Sequence, residues 1–183
     1  MILLMGVSGA GKSTVGARLA ASLGCAFHDG DDLHPEANVR KMAAGLPLDD
    51  HDRAPWLARI ARLIREHEER REPAVVACSA LKRAYRRTLL TGTSATCLVY
   101  LRVERPELER RLRERPGHFF DPRLLPSQLA TLEEPEEALT VDAAAPADAV
   151  VAEILKRIQR FGNFRPRRTD SLSEWWTTLA ESE

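Results

Sequence analysis

The sequence predicts an α/β fold in which a parallel β-sheet carries helices on both faces. Three observations support it. Short apolar runs alternate with segments of helical periodicity along most of the chain, the pattern of strand–helix–strand units. Ala74-Val75-Val76-Ala77-Cys78 is apolar without interruption, as a parallel strand covered on both faces should be. The apolar run Ile2-Leu3-Leu4-Met5 leads directly into Gly6-Val7-Ser8-Gly9-Ala10-Gly11-Lys12-Ser13, a strand, a glycine-rich turn and the start of a helix.

At 183 residues the chain is the size of one domain and buries about 70% of its unfolded surface in a core. Its 27 basic side chains balance 27 acidic ones, so no global field draws in nucleic acid or an anionic membrane, and charge selectivity has to be local. Cys25, Cys78 and Cys97 are odd in number and far apart, and they read as free thiols of a reducing compartment. Met1 to Met5 is too short for a secretory apolar region, and no apolar stretch approaches the ~20 residues of a membrane span. A cytoplasmic location is expected.

Gly6 to Ser13 matches G-x-x-x-x-G-K-[ST] at every fixed position. Its glycines allow backbone N–H groups to turn inward at the positive end of a helix, which makes a cradle for phosphate. Lys12 is placed to reach the β- and γ-phosphates, Ser13 offers a hydroxyl to a magnesium ion, and Thr14 adds a donor in the first turn. Val15, Leu19 and Leu23 continue that helix, and Gly24 ends it. Cys25 to His28 forms a second strand whose carboxyl end delivers Asp29-Gly30-Asp31-Asp32, where ligands of open α/β sheets bind. On an extended backbone Asp29 and Asp31 face the same way, toward the cradle. One carboxylate then holds a magnesium-bound water, and the other orients an acceptor hydroxyl and takes its proton. A plain Asp-Gly-Asp turn is the competing reading.

Pro35 to Ala44 reads as a short helix with Val39 and Met42 inward, closed by Gly45. Asp49 to Arg53 reads as a polar loop, and from Pro55 onward Leu57, Ile60, Ala61 and Ile64 give a helix with one apolar stripe running to Arg71. The third strand, Ala74 to Cys78, ends in Ser79-Ala80. Leu81, Tyr85 and Leu89 then mark a helix that is otherwise basic, and Thr96 to Leu101 makes the fourth strand. Pro106 to Arg115 is a helix with Leu108 and Leu112 inward and many arginines around it, broken by a mobile segment from Pro116 to Pro122. Arginines just before such a hinge suit the negative charge that spreads over a transferring phosphoryl group, whereas Arg105, Arg110 and Arg113 read as a solvated face. Ala138 to Asp142 is the fifth strand, and Val150, Val151, Ile154, Leu155 and Ile158 define the last long helix. Beyond Gly162, Leu172, Trp175, Trp176 and Leu179 keep an amphipathic helical spacing, in a tail that either docks as a short helix or frays. An anionic acceptor needs a cation in the pocket, supplied by Arg53, Lys41 or Lys82, with the planar fork of Arg53 best suited to a carboxylate. His34 and His118 are candidate polar contacts, and Gln128 carries no independent signal.

Taken together these blocks resemble the small, bacterial-type gluconokinases, relatives in fold of the shikimate and nucleoside monophosphate kinases. The resemblance runs from Ile2 to about Ile158. Besides the cradle it rests on Asp29-Gly30-Asp31, Leu33-His34-Pro35 and Asn38, on Lys41-Met42, and on Asp52-Arg53 with Pro55-Trp56-Leu57. It continues through Cys78-Ser79-Ala80-Leu81-Lys82, Tyr85-Arg86, Arg111, Arg115, Gly117-His118-Phe119, Ser127-Gln128 and Thr131-Leu132-Glu133. The resemblance implies a three-layer P-loop kinase fold, a five-stranded parallel sheet in the order 2-3-1-4-5 and a mobile lid at about 111–125. It divides the chain into a kinase domain over 1–160 and a tail over 161–183. The implied reaction is ATP-dependent phosphorylation of the 6-hydroxyl of D-gluconate, with magnesium, by a homodimer. Asp31 then meets the acceptor hydroxyl and Arg53 its carboxylate, with His34, Ser79, Lys82 and Gln128 beside the sugar acid. Lys12 and Arg115 act on the phosphoryl group, Ser13 and Asp29 serve the metal, and Arg111, Ala145 and Pro146 join Gly6 to Thr14 around the nucleotide. A shikimate kinase is the near alternative, but that family has a run of glycines where this chain has Cys78-Ser79-Ala80. A nucleoside monophosphate kinase, or a nucleotide switch without an acceptor, are the others; no Asn-Lys pair of a guanine reader occurs.

Overall fold

The computed structural model describes residues 1–93, 95–114 and 122–161. Strand β1 (Ile2–Met5) is the centre of the molecule, and period-2 alternation sends Leu3 and Met5 to one face and Ile2 and Leu4 to the other. It pairs in parallel with β3 (Ala74–Ala77) on one side and β4 (Cys97–Arg102) on the other, with Leu3 opposite both Val76 and Leu98. Outside these lie β2 (Ala26–Asp29) against β3 and β5 (Leu139–Asp142) against β4, giving the order 2-3-1-4-5.

Helices α1 (Lys12–Leu23), α5 (Arg105–Arg113) and α7 (Ala147–Phe161) bring Leu19, Leu108 and Ile154 to one face of the sheet. Helices α3 (Asp50–Glu69) and α4 (Arg83–Leu90) bring Trp56, Ile60, Ile64 and Leu89 to the other. Burial on both faces is why β1 and β3 contain no polar residue. Helix α2 (Glu36–Ala43) follows β2, and α6 (Leu125–Thr131) precedes β5. Among the described residues no helix is long and apolar enough to cross a membrane, and Cys25, Cys78 and Cys97 are free.

Several boundaries differ from the sequence reading for identifiable reasons. Residues 49–53 are not a loop: Asp49 caps α3, its carboxylate accepting from the Asp52 amide at 2.8 Å while the Asp52 carboxylate accepts from the Asp49 amide at 2.9 Å. That reciprocal box outweighs the pull of Pro55 toward the first helical position, so the proline sits inside the helix. After β2 the chain does not stay extended. The Asp29 carboxylate accepts from the Asp31 amide at 3.1 Å and starts one tight turn of 3-10 helix over Gly30–Leu33. In α2 the buried residue beside Met42 is Asn38, with Val39 half-buried. Leu81 precedes α4 instead of lying within it, and α6 is an element with no counterpart in the periodicity. Arg115, His118, the break at 116–121 and the tail from 162 lie outside the described residues.

Gly30 makes the turn after β2 possible through close approach. A Cβ there would lie 2.4 Å from the Ala77 carbonyl oxygen and 3.0 Å from the Ile60 Cδ1. Its own carbonyl accepts the buried Trp56 Nε1–H at 2.6 Å. Gly30→Ala should therefore lower unfolding stability by about 1–3 kcal/mol, the usual cost of forcing an extra group into a filled core. Denaturant unfolding with an unchanged midpoint would refute that close packing.

Candidate active site

The cradle occupies the turn from β1 to α1. Gly6, Gly9 and Gly11 have φ of 150, 85 and 92°, so the loop coils in the left-handed region that side chains avoid. Gly11 is the N-cap of α1 and provides no side-chain cap, leaving the first-turn amides pointed out of the helix end. The Lys12 side chain is buried and its Nζ donates to the Val7 carbonyl at 3.2 Å, folded back over the loop. Ser13 is half-buried beside it and Thr14 is exposed. The loop is braced from β3 by a hydrogen bond from the Gly6 amide to the Ser79 carbonyl, 3.4 Å, and from α6 by the Ser8 amide donating to the Gln128 Oε1, 2.7 Å.

A cleft opens beyond the carboxyl ends of β1, β2 and β3, where ligands bind in such sheets. Ser8 and Lys12 line it from the cradle, Asp31 and His34 from the turn after β2, Arg53 and Trp56 from α3, Ser79 from the turn after β3 and Gln128 from α6. Met42, Leu48 and Leu81 supply an apolar floor. His34 stacks on Trp56 with ring centroids 4.2 Å apart, its Nε2 4.0 Å from the Asp31 carboxylate. The Asn38 amide nitrogen donates to the Asp52 carbonyl at 2.8 Å, which fixes its orientation and turns the same nitrogen to the His34 Nδ1 at 3.4 Å. An amide nitrogen only donates, so the His34 proton sits on Nε2, facing Asp31. Burial, with the Arg53 charge second, pushes the His34 pKa down to about 4. At neutral pH the ring is thus a neutral donor beside a carboxylate.

Arg53 donates to the Leu48 carbonyl at 2.5 Å and to the Tyr85 hydroxyl at 3.5 Å, both neutral. The other candidate cations are already engaged. Lys41 pairs with Asp52 at 2.5 Å, and Lys82 grips Asp50 at 2.7 and 2.9 Å and does not line the cleft. Asp29 also stays out of the lining, its carboxylate used by the Asp31 amide. On the opposite flank of the cradle Arg111 donates to the carbonyls of Gly9 (3.4 Å), Ala143 (2.8 Å) and Ala144 (3.0 Å), and Ala145 and Pro146 are exposed in the next positions. Arg105 and Arg110 are taken up by Glu109, Glu107 and Glu114 on the solvent face of α5. Trp56, Tyr85 and Asp50 were not singled out as site residues from sequence. Tyr85 falls on an apolar helical stripe and Trp56 entered only through the resemblance, although a buried indole N–H or phenol hydroxyl usually finds a polar partner, which is the available clue.

A glycine-rich phosphate loop facing a carboxylate and a guanidinium across one cleft is the site of a phosphotransferase of the P-loop kinase class. A family model described as an AAA domain matches residues 1–135. The chain is 46% identical over 161 residues to a gluconokinase of Gluconobacter oxydans (strain 621H), covering 86% of this chain and 90% of that one. It is 41% identical over 162 residues to the thermoresistant gluconokinase of Escherichia coli (strain K12), covering 86% and 93%. The crystal structure of a gluconokinase from Sinorhizobium meliloti 1021 superposes with a TM-score of 0.79 at 44% identity, covering 87% of this chain and 91% of that one. The chain belongs to the gluconokinase family.

The depressed His34 pKa has a consequence for stability. Between its ordinary 6.5 and about 4 the folded state binds fewer protons than the unfolded chain, so stability falls as pH drops through that window. Relative to His34→Gln, the wild type should lose about 2 kcal/mol from pH 7 to pH 4, the full shift discounted for residual exposure of the ring. Parallel urea titrations at the two pH values test this, and equal pH dependence in both proteins would refute a buried neutral imidazole.

Proposed function

We propose that the protein transfers the γ-phosphoryl group of ATP to the 6-hydroxyl of D-gluconate, giving 6-phospho-D-gluconate and ADP. The observation that carries this reading is the single cleft joining Lys12 of the cradle to Asp31 and Arg53. Family membership supplies the acceptor's identity. In this reading the first-turn amides of α1 and Lys12 bind the β- and γ-phosphates and stabilise the charge of the transition state. Asp31 accepts the proton of the attacking hydroxyl, with the His34 ring beside it. Arg53 binds the gluconate carboxylate, while Ser79 and Gln128 contact the polyol. Arg111 and the exposed turn at Ala145 and Pro146 border the adenine, and Arg115 joins Lys12 on the phosphoryl group.

Among the described residues no group of three or more His, Cys, Asp or Glu could cage a metal by itself. The Ser13 hydroxyl at the start of α1 is the oxygen donor that suits Mg²⁺, which keeps its waters and is held by substrate phosphates with one or two side chains. The Ser13 hydroxyl would hold it, with Asp29 on one of its waters, and it would supply positive charge to the phosphates. Free cysteines support a cytoplasmic location, and the family's usual assembly supports a homodimer. Residues 1–160 form the kinase domain, with the lid at about 111–125 and the tail at 161–183 as an appendage.

A coupled ADP-release assay over gluconate, shikimate, AMP, CMP and no acceptor tests the reading. Turnover is expected with gluconate, and an equal rate without acceptor, or preference for another acceptor, would overturn it. Lys12→Ala and Asp31→Asn should each lower kcat by about 100-fold or more with the fold intact. Near-wild-type turnover in either variant would remove the role assigned to it.

A further inference from the structure

We propose that Tyr85 and Lys82 are positioning residues that hold the Asp50 carboxylate away from Arg53, leaving the Arg53 guanidinium un-neutralised for the carboxylate of the acceptor. The inference rests on the gluconate reading above and assigns the residues that make its anion site selective.

Asp50 and Arg53 lie three residues apart in the first turn of α3, a spacing at which opposite charges on a helix meet. Left alone, Asp50 is the natural partner of Arg53 and would occupy the fork that the acceptor needs. It is instead occupied from the other side. Lys82 Nζ donates to both Asp50 oxygens, at 2.7 and 2.9 Å, and the Tyr85 hydroxyl donates to Oδ1. Tyr85 has one hydroxyl proton, and giving it to Asp50 leaves its oxygen as an acceptor for Arg53 Nη1 at 3.5 Å. The phenol therefore stands between carboxylate and guanidinium as a neutral spacer.

Its ring adds to this. Lys82 Nζ lies 5.4 Å and the Arg53 Cζ 5.7 Å from the ring centroid, within the range of a cation–π attraction. Tyr85 is only 6% exposed and is packed in the core under α3, so it holds its place while both cations are arranged around it. Among the described residues Arg53 makes no ion pair with a carboxylate, whereas Lys41, Lys82, Arg110 and Arg111 all do. The same bonding lowers the Asp50 pKa, mainly through Lys82 and then Tyr85, so the carboxylate stays charged and stays with them. Lys82, which the family resemblance places beside the sugar acid, acts in this account one step back from it, through Asp50.

The test is steady-state kinetics on the full-length protein with gluconate and ATP, using Tyr85→Phe and Lys82→Met, each alone and combined with Asp50→Asn. Both single variants should raise KM for gluconate by about tenfold, the scale of losing one charge-assisted hydrogen bond to the acceptor. KM for ATP should not move, and kcat in Tyr85→Phe should stay within about twofold. Asp50→Asn, which removes the competing charge, should return KM for gluconate toward the wild-type value in both backgrounds. A purely structural role would move both substrates' KM and would not be rescued by Asn at 50. An unchanged KM in the single variants overturns the proposal. So does a KM that stays high in Lys82→Met/Asp50→Asn, which would mean that Lys82 itself touches the acceptor. Wild-type protein inactive on gluconate would instead defeat the functional reading, so the two failures are distinguishable.

Discussion

The amino end of α1 leaves its first amide groups without partners, and the structure is arranged around that constraint. No side chain caps the helix, because the residue at the cap is Gly11. Water or an anion has to complete these donors. The strand that feeds the loop is buried on both faces and hydrogen-bonded on both edges, so the position of the donors is fixed by the rigid centre of the sheet. The left-handed glycines then determine that the amides converge instead of fanning out.

Strand order separates the two halves of the chemistry. With β3 and β2 on one side of β1, the turns that carry Ser79 and Asp31 lie on one flank of the cradle. With β4 and β5 on the other side, Arg111 and the Ala143–Ala144 turn lie on the opposite flank, tied to Gly9. The crossover between β3 and β4 thus puts these two groups of turns on opposite flanks of the cradle. Charge is partitioned the same way. Carboxylates on α3 and α5 occupy the lysines and arginines that are not needed in the cleft, so a protein with no net charge still presents a locally cationic pocket.

How much of this was legible depended on whether the signal was local. The cradle and the parallel strands were readable because glycine spacing and uninterrupted apolar runs are properties of short stretches, whereas the strand order, a property of long-range pairing, came only from the family resemblance. Asp31, Arg53, Ser79 and Gln128 were named from sequence and meet in one cleft, although Ser79 and Gln128 rested on resemblance alone. What failed was competition between signals. Pro55 is a strong helix starter, and nothing in the periodicity showed that Asp49 and Asp52 would cap each other and start the helix at Asp50, five residues earlier. The Asp-Gly-Asp stretch was read as extended because strand alternation was projected past its end, where the Asp29 side chain captures the Asp31 amide and bends the chain. Long-range partners were invisible altogether. That Asp50 belongs to Lys82 and Tyr85, 32 and 35 residues away, is a product of packing α3 against α4.

The same packing explains why the cleft wall that carries Ser79 can be held in register with the cradle. Arg86 on α4 is buried, and it binds Glu137 as well as the carbonyls of Ala80, Leu81 and Glu133. It thereby fixes the turn after β3, in which Ala80 adopts a left-handed φ of 46° that no glycine relieves. That turn carries Ser79, whose side chain lines the cleft and whose carbonyl accepts the Gly6 amide. From the far side Gln128 reaches the Ser8 amide. The cleft wall that carries Ser79 and Gln128 and the phosphate loop are therefore bonded directly to each other on two sides, not merely placed on the same scaffold. In-line transfer requires the attacking oxygen within about 3–3.5 Å of the phosphorus, a tolerance that independently moving loops could not keep. Two direct hydrogen bonds between the walls, backed by a buried guanidinium, make that spacing a property of the fold.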